Sequence, residues 1–232
     1  MILDTARDAS SFSRLELAAL KAAEWLADLV FPPTCGHCGR VDARFCASCR
    51  DELDRCPLEI AKPPVVQLNG LCSTGRHHGL LASAVRAFKY EDAADLRDLL
   101  AERLIVALSE QAWLVDAVVP VPLHADRLLD RGYNQSALMG ERLARWLGIR
   151  FEPGLLGRIR NTGQQAQLSG DERIMNVDGA FAADPAVKGL SVLLVDDVVT
   201  TGATLSACAA ALRAQNARAV YGIALSHALS HA

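Results

Sequence analysis

A chain of 232 residues, 51% of them hydrophobic and with a formal net charge of −3, is long enough for one domain of ordinary size plus a small appendage. The slight negative balance excludes a basic nucleic-acid coat or a binder of anionic membranes as the role of the whole molecule, while leaving room for local basic patches. No apolar run approaches the ~20 residues that a transmembrane helix needs, and an odd number of cysteines with no export signal before them points to a reducing cytoplasm.

The first element, SRLELAALKAAEWLADLVF, is interrupted by Glu16, Lys21, Glu24 and Asp28 and so does not read as a signal peptide. Leu15, Ala18, Ala22, Leu26 and Leu29 share one helical face. Residues 1–30 are therefore expected to form a helical arm packed against the body. Next comes CGHCGRVDARFCASC, a C-x2-C, seven residues, and a second C-x2-C. Cys35, Cys38, Cys46 and Cys49 offer four thiolates, which suit one tetrahedral zinc ion, and Gly39 permits the tight turn after the first pair. The segment, about residues 31–60, is too polar to build its own core, so a metal would supply the missing stability. Cys-Gly-His-Cys is also a disulfide-exchange sequence, but that motif belongs after a strand, and here Phe-Pro-Pro-Thr precedes it. His37 is an alternative ligand to one of the four. Cys56 and Cys72 are either an eroded second site or small core residues, and Cys208 reads as core filler.

Pro57, Pro63 and Pro64 mark a linker, and the body is expected over 61–232. VVQLNGLCSTG carries one or two short strands, LLASAVRAFKY and DLRDLLAERLIVALSEQ are helices, and VDAVVPVPL is a buried strand. NQSALMGERLARWLG is a helix ended by Gly148. IRFEPGLLGRIR suggests a strand and its continuation, and the polar stretch RNTGQQAQLSGDERIMN a mobile loop. SVLLVDD is a second buried strand expected to end at Val195, GATLSACAAALRAQN a helix and ARAVYGIALS a third strand. Strand–helix alternation of this kind gives a parallel sheet covered on both faces, with sites at the carboxyl ends of its strands.

One such end reads VLLVDDVVTTGATL. Asp196 and Asp197 leave the sheet at its functional edge. Thr200, Thr201, Gly202, Ala203 and Thr204 are expected to open a helix whose unpaired N–H groups, dipole and threonine hydroxyls attract an anion. Carboxylates beside a phosphate pocket accept hydrogen bonds from ribose hydroxyls or attract magnesium on a pyrophosphate. The constellation therefore fits a ribose 5-phosphate that carries a pyrophosphate. It is neither a Walker A loop nor a Rossmann glycine fingerprint.

Residues 192–205 resemble the phosphoribosyl-pyrophosphate (PRPP) motif of type I phosphoribosyltransferases. More narrowly, FPPTCGHC with its following C-x2-C, AFKY, VPVPLHADRLLDRGYNQ, RIRNTGQQAQLSGDERIMNVDGAF and VLLVDDVVTTGATL, in that order, are similar to the ComF family, also called GntX-like. The resemblance implies an α/β, parallel-sheet phosphoribosyltransferase fold preceded by the N-terminal helix and a small four-cysteine zinc knuckle. It implies that Asp196 and Asp197 hold ribose hydroxyls, that residues 200–204 cradle the 5-phosphate, and that Pro122 to Arg127, with Leu123 and His124 among them, form a pyrophosphate loop. Arg127, Arg131 and Lys89 are the expected cationic contacts; Tyr133, Asn134 and Gln135 fix that loop or face the acceptor. Residues 158–176 match the family's hood, in which Arg158, Arg160, Gln164 and Arg173 would close over pyrophosphate, Arg160 being the arginine assigned to catalysis. Family members often carry further cysteine pairs after the first four; here only Cys56 and Cys72 remain in the region, so a second zinc is doubtful. The implied reaction is transfer of the phosphoribosyl group, with magnesium, to an unidentified nitrogen nucleophile. The alternative is a PRPP-sensing accessory protein that engages single-stranded DNA or DNA-uptake proteins through the zinc arm. Residues 121–175 hold eight arginines against six acids, only a slight excess for nucleic-acid binding.

Overall fold

The structure, a computed structural model, describes residues 32–41, 43–90, 93–160 and 179–228. The expected N-terminal helix and most of the expected hood lie outside them. At the centre is a five-stranded sheet in the order β1 (Gly70–Ser73), β7 (Ala219–His227), β6 (Ser191–Val199), β2 (Ala117–Pro120), β3 (Arg150–Phe151), parallel throughout. A two-stranded antiparallel hairpin, β4 (Leu156–Arg158) and β5 (Phe181–Ala183), stands apart from it.

Alternation along the strands feeds two cores, one on each face. Val118, Leu193, Val195, Ile223 and Leu225 meet α2 (Gly79–Tyr90), α3 (Arg97–Ser109) and α5 (Gln135–Leu147). Ala117, Val119, Val192, Leu194 and Val220 meet α6 (Ala203–Ala214) and the hairpin. From β2 the chain crosses through α5 outward to β3; from β6 it crosses through α6 the opposite way to β7. Crossovers of one hand that run in opposite directions must lie on opposite faces, and they open a crevice between the carboxyl ends of β2 and β6.

Local sequence sets the helix limits. Asn134 Oδ1 accepts from the N–H groups of Ser136 and Ala137, at 3.0 and 3.4 Å, which starts α5; Gly148, at φ 67°, stops it. Buried Met139, Gly140, Leu143 and Ala144 recur at spacings of three and four between those signals.

The cysteine segment is docked on the body. Its helix α1 (Ala47–Arg55) buries Leu53, and Phe45 precedes it; both belong to the core beneath α2 and α3. Burial of two such side chains contributes roughly 1.5–3 kcal/mol each, enough to hold the segment in place alongside any metal. Arg103 of α3, buried, donates from Nη1 to the carbonyls of Leu53 and Cys56 at 2.9 and 3.0 Å, closing the carboxyl end of α1. The expected linker also runs along the sheet: Ala61 and Ser73 exchange backbone hydrogen bonds at the outer edge of β1.

Two boundaries differ from expectation. β6 continues through Val199 because β7 is equally long and pairs with it as far as His227. Helix α6 starts at Ala203, since Gly202, at φ 77°, holds a left-handed conformation that cannot be the helix's first turn.

Candidate active site

The two acids at the end of β6 point to opposite faces of the sheet, Asp196 toward Arg158 and Cys208 and Asp197 toward Lys89. Successive residues of a strand face opposite ways, so Asp196 sits on the α6 face with Leu194, and Asp197 on the α2 face with Val195. There Asp197 Oδ1 meets Lys89 Nζ, in the last turn of α2, at 2.7 Å. The Asp197 N–H donates to Asp196 Oδ1 at 2.8 Å. Burial, reinforced by the neighbouring Asp197 carboxylate, pushes the Asp196 carboxyl up to about 7; Lys89, that N–H and Arg158 act against the rise.

Both acids line one cavity of about 290 Å³ at the carboxyl ends of β2 and β6. Its walls hold Lys89, Leu123, Arg127, Arg131 and Arg158, and the run from Asp196 to Leu205. Four cationic side chains against two carboxylates suit a polyanion with a neutral, hydroxylated middle. Residues 200–202 form the turn between β6 and α6. There the Thr201 hydroxyl accepts from the Ala203 N–H at 3.3 Å, while the first-turn amides of the 12-residue helix stand at the cavity.

Gly202 is required twice. Its φ is left-handed, and a Cβ built there would lie 2.6 Å from Val65 Cγ2. Gly202→Ala is expected to lower stability by roughly 2 kcal/mol through strain and overlap. Val65→Ala in the same chain should restore the overlap part but not the strain part. Full recovery, or none, in paired chemical denaturation curves would contradict this account of the turn.

The loop after β2 is short and braced. Only Val121 to His124 intervene before α4 (Ala125–Arg131), so Arg127 lies on a helix and not in a loop as expected. Tyr133 Oη donates to the Phe88 carbonyl at 2.7 Å, Asn134 Nδ2 donates to the Val121 carbonyl at 3.0 Å, and Arg131 Nη1 donates to Gln135 Oε1 at 3.0 Å. These bonds fix the loop against the end of α2, one residue before Lys89. Arg131 also lies over the Tyr90 ring, 4.6 Å from its centroid.

Two of the expected residues stand elsewhere. The imidazole of His124 accepts from the Asp126 N–H at 3.3 Å, as the N-cap of α4, and is not in the cavity wall. Arg160 is exposed beyond β4 and also outside the wall, whereas Arg158, expected in the hood, is in the wall itself on β4. Gln164 and Arg173 lie outside the described residues. Sequence reading overlooked His77, also in the wall. Its signal was the motif GRHHG directly after a strand, but that short strand was not counted among the functional ends.

The four cysteines of the knuckle converge, with their Sγ atoms all within 4.8 Å of one another. Cys35–Cys49 and Cys38–Cys46 are 3.7 and 3.6 Å apart. Tetrahedral zinc with bonds of about 2.3 Å sets its sulfurs about 3.8 Å apart, so this group fits such an ion. Gly39, at φ 73°, donates to the Cys35 carbonyl at 2.9 Å, and the Cys46 N–H donates to Cys35 Sγ at 3.4 Å, as a knuckle requires. Burial opposes ionisation of Cys35, but the amides of Cys38, Cys46 and His37 overcome it and bring the thiol down to about 6. His37 stands outside the group, its Nδ1 3.2 Å from Ser83 Oγ on α2. Cys72 and Cys208 are buried separately, Cys72 with its thiol pushed up to about 12 by burial, so neither joins Cys56 in a second cluster among the described residues. No helix among the described residues is long and apolar enough to cross a membrane.

A family model for the phosphoribosyl transferase domain matches residues 134–230. The chain is 36% identical over 191 residues, 80% of each chain, to the DNA utilization protein YhgH of Salmonella typhimurium. It is 31% identical over 189 residues to competence protein F of Haemophilus influenzae, across 78% of this chain and 79% of that one. Similarity to competence protein ComFC of Bacillus subtilis is 34% over 89 residues, 38% of this chain and 34% of the relative.

Proposed function

Because this chain belongs to the ComF family of type I phosphoribosyltransferase-like proteins, we propose that its cavity binds PRPP with magnesium and transfers the phosphoribosyl group to a nitrogen nucleophile. The observation that carries the reading is the pair of carboxylates on opposite faces of the end of β6, inside a cavity otherwise rich in cations. Asp196 and Asp197 accept hydrogen bonds from the ribose hydroxyls. The turn at 200–202 and the first amides of α6 receive the 5-phosphate. Lys89, Arg127 and Arg131 face the pyrophosphate, with Leu123 and the backbone of its loop beside it. Magnesium enters with the pyrophosphate as part of the substrate, and the two carboxylates are the hard oxygen groups that such a cation accepts nearby.

The reaction breaks the bond from the ribosyl carbon to the pyrophosphate oxygen, and the electron pair leaves with pyrophosphate. Positive charge grows on the ribosyl carbon and ring oxygen, where fixed carboxylates stabilise it without reorganisation. The nitrogen lone pair then forms the new bond from the opposite face. Zinc held by Cys35, Cys38, Cys46 and Cys49 is a structural ion in this reading, remote from the chemistry.

The test is transfer of label from pyrophosphate into PRPP, and release of pyrophosphate, across a panel of nucleobases and amines. Turnover with any acceptor supports the enzyme. Tight PRPP binding with no turnover favours a second reading, a PRPP sensor that serves a DNA-processing partner. The exposed Tyr90 ring under Arg131 at the cavity mouth favours that reading, as a surface on which a base of single-stranded DNA could stack.

A further inference from the structure

The proposed reaction lacks a group to take the proton from the incoming nitrogen, and the cavity wall holds one candidate, His77. His77 follows β1, and its backbone N–H donates to the His227 carbonyl at the end of β7, at 2.7 Å. Its Nδ1 lies 2.8 Å from Ser226 Oγ, and Ser226 is fully buried. Main chain and ring are thus both held, and Nε2 is the nitrogen left to meet a ligand. His77 lines the same cavity as Lys89 and Asp197.

We propose that His77 is the general base of the transferase reaction, accepting at Nε2 the proton of the attacking nitrogen, and that Ser226 positions its ring. The inference rests on the reading of the cavity as a PRPP site. The base role requires the tautomer in which Nδ1–H donates to Ser226 Oγ, so that Nε2 carries the lone pair. As the nitrogen lone pair bonds to the ribosyl carbon, the N–H pair remains on nitrogen and the proton passes to Nε2. Pyrophosphate departs with the pair of the breaking C–O bond. The imidazolium returns its proton to solvent, which restores the starting state.

The surroundings keep the imidazole neutral. Burial leads, Lys89 and Arg86 of α2 add to the effect, and Asp197 of β6 opposes it, so His77 titrates below the ordinary histidine range. His227 of β7 also lies alongside, with its Nδ1 2.8 Å from Ser73 Oγ, and Arg76 precedes the residue. A base that is unprotonated at neutral pH is in the form the step requires.

The experiment compares the wild-type chain with His77→Gln and Ser226→Ala, using magnesium–PRPP as the probe. Pyrophosphate release is followed over pH with the acceptor panel and with water, and PRPP binding by calorimetry on the same samples. Expected for His77→Gln is PRPP affinity within about threefold of wild type. Turnover at saturating PRPP should fall about 100-fold or more and its kcat profile should lose the acidic limb, while the weakening of PRPP binding below about pH 7 that Asp196 causes stays as in wild type. Ser226→Ala, the check should His77→Gln fail to fold, should displace that limb at unchanged affinity. Retained turnover and an unaltered limb in either folded variant would overturn the proposal while leaving the PRPP site intact. So would wild-type protein that binds PRPP yet releases no pyrophosphate with any acceptor or with water. Wild-type protein that fails to bind PRPP would instead overturn the reading of the cavity, and the base with it.

Discussion

Replacement of both Asp196 and Asp197 by asparagine is expected to weaken PRPP binding at least ~100-fold with the fold preserved. Each carboxylate supplies charge-assisted hydrogen bonds worth about 1.5–3 kcal/mol, and about 2.7 kcal/mol is a hundredfold in affinity. The single variants separate two effects. Asp197→Asn leaves Lys89 without its 2.7 Å partner and should cost some stability. Asp196→Asn should do the reverse at high pH. The Asp196 carboxyl, raised from 3.8 to about 7, holds its proton in the folded chain over a range where the unfolded chain has lost it. Folded protein then binds more protons than unfolded, so this group's contribution to stability is full below about pH 4 and is lost as pH rises through about 7. Asparagine removes that loss, and melting curves should show the variant gaining on wild type between about pH 4 and about pH 8. The same titration predicts that wild-type PRPP binding weakens on acidification below about 7, because a protonated Asp196 accepts fewer ribose hydrogen bonds. Unchanged PRPP affinity in the double variant would refute the assignment of both residues.

Loss of any one cysteine of the knuckle carries the second large expected effect. In Cys49→Ser, zinc content should fall from one ion per chain to none. Stability should fall by roughly 3 kcal/mol or more, near 10 °C of melting temperature for a chain this size. The effect is not confined to the knuckle. Cys46 and Cys49 flank the start of α1, Phe45 and Leu53 sit in the core of α2 and α3, and Arg103 grips the far end of that helix. A slackened knuckle would therefore loosen the packing of α2, which carries Lys89 into the cavity. PRPP affinity in Cys49→Ser should drop severalfold even though no cysteine approaches the cavity. Zinc-free wild-type protein, purified without chelator and melting no lower than zinc-loaded protein, would contradict the account.

How much of this could be read from the residues alone varied with the kind of signal. Local signals were legible: Asn134 and Gly148 bracket α5, the apolar run at 192–195 is a central strand, and C-x2-C pairs converge. Pairing between distant segments was not. Nothing near Asp196 says that β7 is long enough to carry β6 through Val199. Lys89 was equally a surface lysine in the sequence; it becomes a cavity group because α2 ends beside β6, which comes far later in the chain. His124, within a motif, was assigned to ligand by its neighbours; the structure shows it as the N-cap of α4, outside the cavity wall. His77 was hidden because its partner, Ser226, lies at the other end of the chain.

Calorimetric titration of the wild-type chain with PRPP in the presence of magnesium bears most directly on the whole account. A single site per chain is expected, of micromolar affinity or tighter, competed by pyrophosphate and by ribose 5-phosphate and lost in the double asparagine variant. No heat and no competition at millimolar PRPP, in protein shown by its melting curve to be folded, would contradict it.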